Sequence, residues 1–293
     1  MKLIASPESR INALNLLRRL PPVLRARNYY IYVEGNRRLV DLWLYGGKNV
    51  LGHKPANMVR ELKNSAERGL FTPFPNALEH RFKKALAELL PIESGEAQRT
   101  ITIFESRESL ASALTQCGID PASIQDPAFG TGKKNDPDVK ASFWRPFVGG
   151  RTGDQREGFS FVVPIIPCPV APWVLISDLS LHSDLIPPTV LTPAVRTIYN
   201  VLSAKSTRGK IKLPKVEKLL KKEDCVWQRH GIYLCLKQEH RAHQENSNWE
   251  KLWLRFLENG FLLPPDPDDP LILPETISPG EEAKLAKLLS ELL

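Results

Sequence analysis

Residues 31–55, which read IYVEGNRRLVDLWLYGGKNVLGHKP, decide how the rest of the chain is interpreted. A short apolar strand runs into Glu34-Gly35-Asn36, where glycine and asparagine favour a turn. A second strand returns through Leu39-Val40-Asp41, and paired glycines lead to the corner Leu51-Gly52-His53-Lys54-Pro55. This stretch therefore predicts a β hairpin followed by a glycine-rich turn at the entrance to a folded domain.

The order and spacing of these residues resemble the entry segment of class III pyridoxal-phosphate-dependent aminotransferases, the group that includes glutamate-1-semialdehyde aminomutase. That segment typically reads D-G-N-x-x-x-D, then a glycine-bearing stretch, then L-G-H-x-x-P. Residues 78–91 and 256–273, the latter reading FLENGFLLPPDPDDPLIL, resemble later family segments, and residues 191–202 resemble the family's N-P-L-A helix more weakly.

The resemblance implies an α/β protein with a reduced fold type I architecture, and an α+β small domain built from the N- and C-terminal segments. We expect residues 1–91 to form the first part of the small domain and a dimer arm. Residues 92–204 are expected to form a reduced large domain, and residues 205–293 the remainder of the small domain. A homodimer is expected because the family is dimeric.

In the family, three elements hold and use pyridoxal phosphate: a glycine-containing turn at a helix N-terminus that binds phosphate, an aspartate that pairs with the pyridine nitrogen, and a Schiff-base lysine. By resemblance, Ser106 and Asp178 are the candidate cofactor-binding residues. However, Arg107 replaces the glycine after Ser106, and no lysine lies between Asp178 and Lys205.

These departures predict that transamination is lost, that pyridoxal phosphate is not bound and that no residue is catalytic. The protein would then act as a binding, structural or regulatory protein. The alternative is an active aminotransferase or aminomutase that uses a non-standard lysine, Lys205 or Lys48. A third possibility, nucleic-acid binding, rests only on the net charge of +7.

Composition favours a cytoplasmic protein with reduced thiols, since the four cysteines contain no C-x-x-C pair. The longest uncharged run, residues 159–176, contains four prolines and is not expected to cross a membrane as a helix. His240 and His243 lie in a polar stretch without a matching cysteine pair, so no metal site is predicted. A P-loop reading of residues 128–134 fails because Lys134 stands where serine or threonine is needed.

Most helices are predicted from caps and apolar spacing, including helices at residues 77–90, 193–203 and 247–259. A final helix is predicted after Ser278, where Glu281 would complete a capping box. Residues 118–158 are rich in Gly, Pro, Asp and Lys and are interpreted as one long loop.

Overall fold

The structure is a computed structural model that describes residues 3, 6–90, 99–130, 140–149, 159–208, 211–241 and 246–291. Its helices are α1 Pro7–Arg18, α2 Met58–Glu67, α3 Ala77–Leu89, α4 Arg107–Gln116, α5 Pro188–Arg208, α6 Pro214–Leu220, α7 Gln238–Arg241, α8 Asn246–Glu258 and α9 Pro279–Ser290. Its strands are β1 Val23–Arg27, β2 Tyr30–Val33, β3 Arg37–Asp41, β4 Thr100–Phe104, β5 Ala141–Trp144, β6 Phe161–Pro164, β7 Trp173–Ser177, β8 Trp227–His230, β9 Tyr233–Leu236, β10 Phe261–Leu262 and β11 Leu271–Ile272.

The N- and C-terminal segments meet in one sheet, whose order is β1-β2-β3-β10. The hairpin β2–β3 is antiparallel, and β10 pairs in parallel with β3, so that Phe261 lies beside Val40. One apolar core joins these strands to α8 and α9. The two ends of the chain therefore pack together, as the resemblance implied.

A second sheet, of order β4-β7-β6-β5, forms the centre of the molecule. Strands β5 and β6 are buried along their whole length and β7 is buried after its first residue, because helices cover both faces. Val174 and Ile176 of β7 pack with α3 and α5 on one face, and Leu175 packs with α4 on the other. Helices on both faces of a buried sheet are the architecture of an α/β protein, so the predicted fold class is confirmed.

The domain boundaries at residues 91 and 204 stay predictions. Helices α2 and α3 both pack on α5, and Met58 and Phe82 belong to the same apolar core as the central sheet. The first 91 residues thus contribute to the packing of both sheets. A third sheet, of order β11-β9-β8, joins the central sheet to the C-terminal segment.

The interpretation of residues 118–158 as one loop was wrong in part, because β5 and a 3₁₀ turn at Pro127–Phe129 lie inside it. Strand β5 is four residues long and is followed by Arg145, so its apolar run is too short for a clear pattern. Residues 131–139 and 150–158 of this stretch lie outside the described residues. Helix α5 begins at Pro188, five residues before the predicted start.

Helix caps predicted from sequence are confirmed where they are described. Ser6 accepts a hydrogen bond from the Ser9 amide at 3.1 Å, and Ser278 and Glu281 form the predicted capping box of α9. The Ser247 side chain, predicted to cap α8, lies outside the described residues. No helix in the described part of the chain is long and apolar enough to cross a membrane.

Candidate functional site

The turn after β3 is held in place by Asp41, which is almost completely buried. Its carboxylate accepts hydrogen bonds from the amides of Trp43 at 2.8 Å and Leu44 at 2.9 Å. The same carboxylate lies 2.9 Å from Nε2 of His53. The aspartate and histidine of the opening motif therefore fix this turn.

Gly52 is required at the corner because its φ is +88° and a Cβ there would lie 2.9 Å from the Asn28 carbonyl oxygen. A side chain at this position is strained by the backbone conformation and blocked by backbone that cannot move aside. The corner thus closes tightly on the loop between β1 and β2, where the His53 amide donates to the same Asn28 carbonyl at 2.8 Å.

Four consecutive residues of the turn, Leu44, Tyr45, Gly46 and Gly47, have φ values between +45° and +104°. For leucine and tyrosine this conformation costs about 1–3 kcal/mol each, and such strain is concentrated at functional sites. The left-handed turn places Tyr45 at the surface and Lys48 beside the central sheet. We call residues 44–48 the strained turn.

A buried ion pair supports the strained turn from one side. The guanidinium of Arg145, fully buried after β5, donates to both carboxylate oxygens of Asp126 at 2.6 Å and to the Gly46 carbonyl at 2.8 Å. It also lies 5.3 Å from the centre of the Tyr233 ring. Although burial opposes ionisation, Arg145 holds the pKa of Asp126 well below its usual range. This pair is a satisfied structural unit that links three segments distant in sequence.

On the other side of the strained turn, two cations lie over one indole ring. Nζ of Lys48 is 4.4 Å from the centre of the Trp173 ring, and the guanidinium carbon of Arg107 is 5.8 Å from it. Burial lowers the pKa of Lys48 to about 8; the Cys168 thiol opposes this shift and Arg107 adds to it. The uncharged amine is therefore more populated near neutral pH than it is for an exposed lysine.

Arg107 lies at the boundary between this ring and a cavity of about 250 Å³ that Arg10 and Glu108 also line. Burial lowers the pKa of Arg107, and the largest opposing effect comes from the negative charge of Asp269. The Nε of Arg107 is buried and has no hydrogen-bond partner among the described residues. We call Lys48, Arg107 and Trp173 the two-cation site, since its charged groups retain capacity for an anionic ligand.

Ser106 is found directly beside this site, at the N-terminus of α4. Its hydroxyl oxygen accepts a hydrogen bond from the Ser109 amide at 2.9 Å and contacts the Ser109 hydroxyl at 2.9 Å. Ser106 therefore acts as the cap of α4, and Arg107 occupies the first helical position, where the family turn has glycine.

Asp178 lies at the opposite end of the same strand pair. Because β4 and β7 are antiparallel, Phe104 pairs with Trp173 and Thr100 pairs with Ser177. Ser106 and Asp178 follow opposite ends of this five-residue ladder, about 14 Å apart at 3.4 Å per residue. The Asp178 side chain is 46% exposed and lies 3.5 Å from Nε of Arg99. The structure does not bring the two predicted cofactor residues together.

These residues do not fit pyridoxal phosphate in the way the family holds it. The hydroxyl that would receive the phosphate is engaged as a cap, a bulky guanidinium replaces glycine, and the carboxylate is exposed at the wrong end of the strand. Of the two alternative lysines, Lys205 lies in α5 and its side chain is outside the described residues. Lys48 lies within the two-cation site.

Two features of this region were missed from sequence. Asp126 and Arg145 fall in the stretch interpreted as a loop, and their only signal is a charged residue inside the apolar context FWRPF. Trp173 was read as part of a buried strand, not as a ring that two cations share. For the metal question, no cluster of three metal-binding side chains occurs in the described residues, and His243 lies outside them.

No protein-family model matches the chain. A Borreliella burgdorferi protein is 38% identical over 69 residues, which cover 24% of this chain and 26% of that protein. A Treponema pallidum protein is 34% identical over 110 residues, covering 37% and 35%. Both are described as uncharacterized proteins. The matched part of the chain thus spans only about a quarter to a third of these relatives.

Solved structures give a broader match. Plasmodium falciparum ornithine δ-aminotransferase superposes with a TM-score of 0.64 at 13% identity, over 97% of each chain. The chain has the fold of pyridoxal-phosphate-dependent transferases of fold type I. Acetylornithine aminotransferase from Elizabethkingia anophelis (TM-score 0.61, 11% identity, 93% of each chain) has the same fold. So has a serine palmitoyltransferase variant from S. paucimobilis (0.64, 10%, 97% of each chain).

Proposed function

We propose that this aminotransferase-fold protein does not transaminate and instead binds a small anionic molecule as a binding or regulatory protein. The observation that carries the proposal is the pair of part-buried cations, Lys48 and Arg107, on the face of Trp173. Arg107 occupies the turn position at which the family has a glycine, whose backbone can approach the cofactor phosphate closely. The finer resemblance to glutamate-1-semialdehyde aminomutase remains a prediction.

The loss of transamination is supported by the sequence after Asp178, which contains no lysine until Lys205. Without a lysine that forms and releases a Schiff base, the proton transfers of transamination lack their acid and base. The capping role of Ser106 and the exposure of Asp178 argue in the same direction. By resemblance alone pyridoxal phosphate would be the cofactor, but these residues do not form the binding site that the family uses.

The direct test is to mix the purified protein with pyridoxal phosphate and record its absorption before and after borohydride. We expect no reducible adduct in stoichiometric amount. A stoichiometric adduct would overturn the first part of the proposal. For the second part, glutarate serves as an anionic probe in a calorimetric titration. We expect Lys48→Met and Arg107→Met each to weaken glutarate binding at least tenfold, whereas the exposed Lys84→Met leaves it unchanged.

The enzyme alternative is favoured by one specific observation, the pKa of about 8 at Lys48. An amine that is partly uncharged near neutral pH is a competent nucleophile toward a carbonyl. In this alternative the borohydride-reduced adduct maps to Lys48, and Lys48→Ala abolishes an aminotransferase or aminomutase activity while the fold is retained. Labelling at exposed lysines only would contradict it.

We also propose a homodimer. Phe71 and Phe74, in the loop between α2 and α3, are 62% and 69% exposed, which favours their burial against another surface. Light scattering should give a dimer mass for the unmodified chain and a monomer mass for the double variant Phe71→Ser, Phe74→Ser. A monomer of the unmodified chain contradicts the proposal.

The four cysteines are free thiols, which supports a reducing, cytoplasmic location.

A further inference from the structure

A second charged feature lies away from the two-cation site, between the edge strand β1 and the start of α2. It is an open groove of about 780 Å³. We call it the basic groove, because five of its described lining residues are cationic and none of those described is acidic: Arg25, Arg27, Lys54, Arg60 and Lys63. Two stretches of the sequence, residues 25–28 and 54–63, converge here, so the concentration of charge is a product of the fold.

The cations of the basic groove are weakly neutralised. Neither Arg27 nor Lys54 forms an ion pair with any residue that the structure describes. Arg60 lies 3.5 Å from its neighbour Glu61, and Lys63 lies 3.8 Å from Glu67. These pairs are exposed on the outer surface of α2, where such interactions contribute little. Like charges that are held close together and only weakly paired repel one another until an anion binds.

The N-terminus of α2 contributes to the lining of the groove. Asn57, at the N-cap of the ten-residue helix α2, adopts the left-handed conformation and its side chain makes no capping hydrogen bond. As in any α-helix, the amides of the first turn, here at Val59 and Arg60, have no partner within the helix. They form the positive end of the helix dipole. Both residues line the groove. Phosphate groups are suited to such a combination of helix amides and arginines.

We propose that the basic groove binds a small ligand carrying several phosphate groups. Its volume falls within the range of sites for small molecules, roughly 300–1,000 Å³, and its charge calls for more than one anionic group. Its described lining residues include no aromatic ring on which a base could stack. A compact polyphosphate therefore fits it better than a nucleic-acid strand. This inference does not depend on the proposed function of the two-cation site.

The test uses the full chain and inorganic tripolyphosphate in calorimetric titrations at two salt concentrations. We expect one-to-one binding that the double variant Arg27→Ser, Arg60→Ser weakens at least tenfold, because two of the five cations and their phosphate contacts are removed. The matched control is Lys221→Ser, Lys222→Ser, which removes the same charge from an exposed pair after α6. This control should retain the affinity of the unmodified protein.

Equal weakening in the Lys221, Lys222 control would overturn the proposal, since it would indicate attraction to net charge alone. Absence of tripolyphosphate binding would also overturn it, as would binding only of a single-stranded RNA probe that the Arg27, Arg60 variant loses. Failure of glutarate binding at Lys48 with retained tripolyphosphate binding would contradict the proposed function and leave the groove proposal supported. Circular dichroism of each variant establishes that the fold is intact.

Discussion

Two charged clusters lie on either side of the strained turn, and they differ in how their charges are satisfied. On one side, Arg145 is fully buried and bound to Asp126 and the Gly46 carbonyl. On the other, Lys48 and Arg107 are half-buried and share an aromatic ring, and neither forms an ion pair with a carboxylate among the described residues. The first cluster holds the turn in its strained conformation. The second uses the position that the turn creates.

The difference teaches that buried charge alone does not identify a functional site. Asp126 has a strongly lowered pKa, yet its carboxylate is fully engaged by Arg145 and the Ala128 amide. Lys48 has a lowered pKa because no carboxylate offsets the effect of its burial. Capacity for a ligand is indicated by the unsatisfied group and not by the largest shift.

The largest expected effect comes from breaking the satisfied cluster. Asp126→Asn should lower the free energy of unfolding by about 3–5 kcal/mol, because it leaves a guanidinium buried without its counter-charge. Urea unfolding at pH 7 measures this. The double variant Asp126→Leu, Arg145→Met removes both charges and should recover part of the loss. Equal stability of Asp126→Asn and the unmodified protein would contradict a structural role.

The same pair predicts a pH dependence. The folded-state pKa of Asp126 is depressed, so its contribution is present above the unfolded-state pKa, about 3.9, and is lost as pH falls further. The unmodified protein should therefore lose stability below about pH 4 more steeply than the double variant. Parallel unfolding curves of the two proteins across this range would count against the assignment.

Lys48→Met should raise the free energy of unfolding, whereas Asp126→Asn lowers it. At pH 7 the charged amine is held in a position that disfavours it, so the variant is expected to gain about 1–2 kcal/mol. Because the folded-state pKa, about 8, is lower than the unfolded one, the unmodified protein gains stability as pH rises from 8 toward 10.5. The advantage of the variant should shrink over that range. A variant that is less stable at pH 7 would show that Lys48 is a structural residue.

Ser106→Ala should cost about 1 kcal/mol, the usual effect of removing an N-cap. Thermal unfolding measures the change, and Ser106→Asn is the matched control because asparagine also caps helices. If the serine acts only as a cap, glutarate binding at the two-cation site is retained in both variants. Loss of glutarate binding in Ser106→Ala alone would give the hydroxyl a ligand-binding role.

The smallest effect is expected at Asp178. Asp178→Asn removes an exposed ion pair with Arg99 and should change stability by less than about 1 kcal/mol. It should also leave the response to pyridoxal phosphate unchanged in the absorption test. A change in that response would restore the aspartate as a cofactor residue, against its position at the far end of β7.

Much of the fold follows from local patterns. The hairpin β2–β3 is determined by its turn residues and α1 and α9 by their caps, and the fold class was implied by the resemblance of the entry segment. Strand β5 could not be predicted, because four apolar residues followed by Arg145 give no readable period. The candidate site was predicted only in part. Ser106 lies beside it, whereas Asp178 lies at the opposite strand end, since the antiparallel pairing of β4 and β7 is not encoded in either segment alone.

The sequence by itself determined three facts: residues 31–55 resemble the entry segment of class III aminotransferases, Arg107 replaces a glycine, and no lysine lies between Asp178 and Lys205. These are local facts of residue type and spacing. Only the tertiary structure decided that Lys48 and Arg107 meet on Trp173, that Asp126 neutralises Arg145, and that five cations line one groove. Each of these depends on segments far apart in the chain. Their electrostatic environment exists only after the sheets and helices have packed and excluded water.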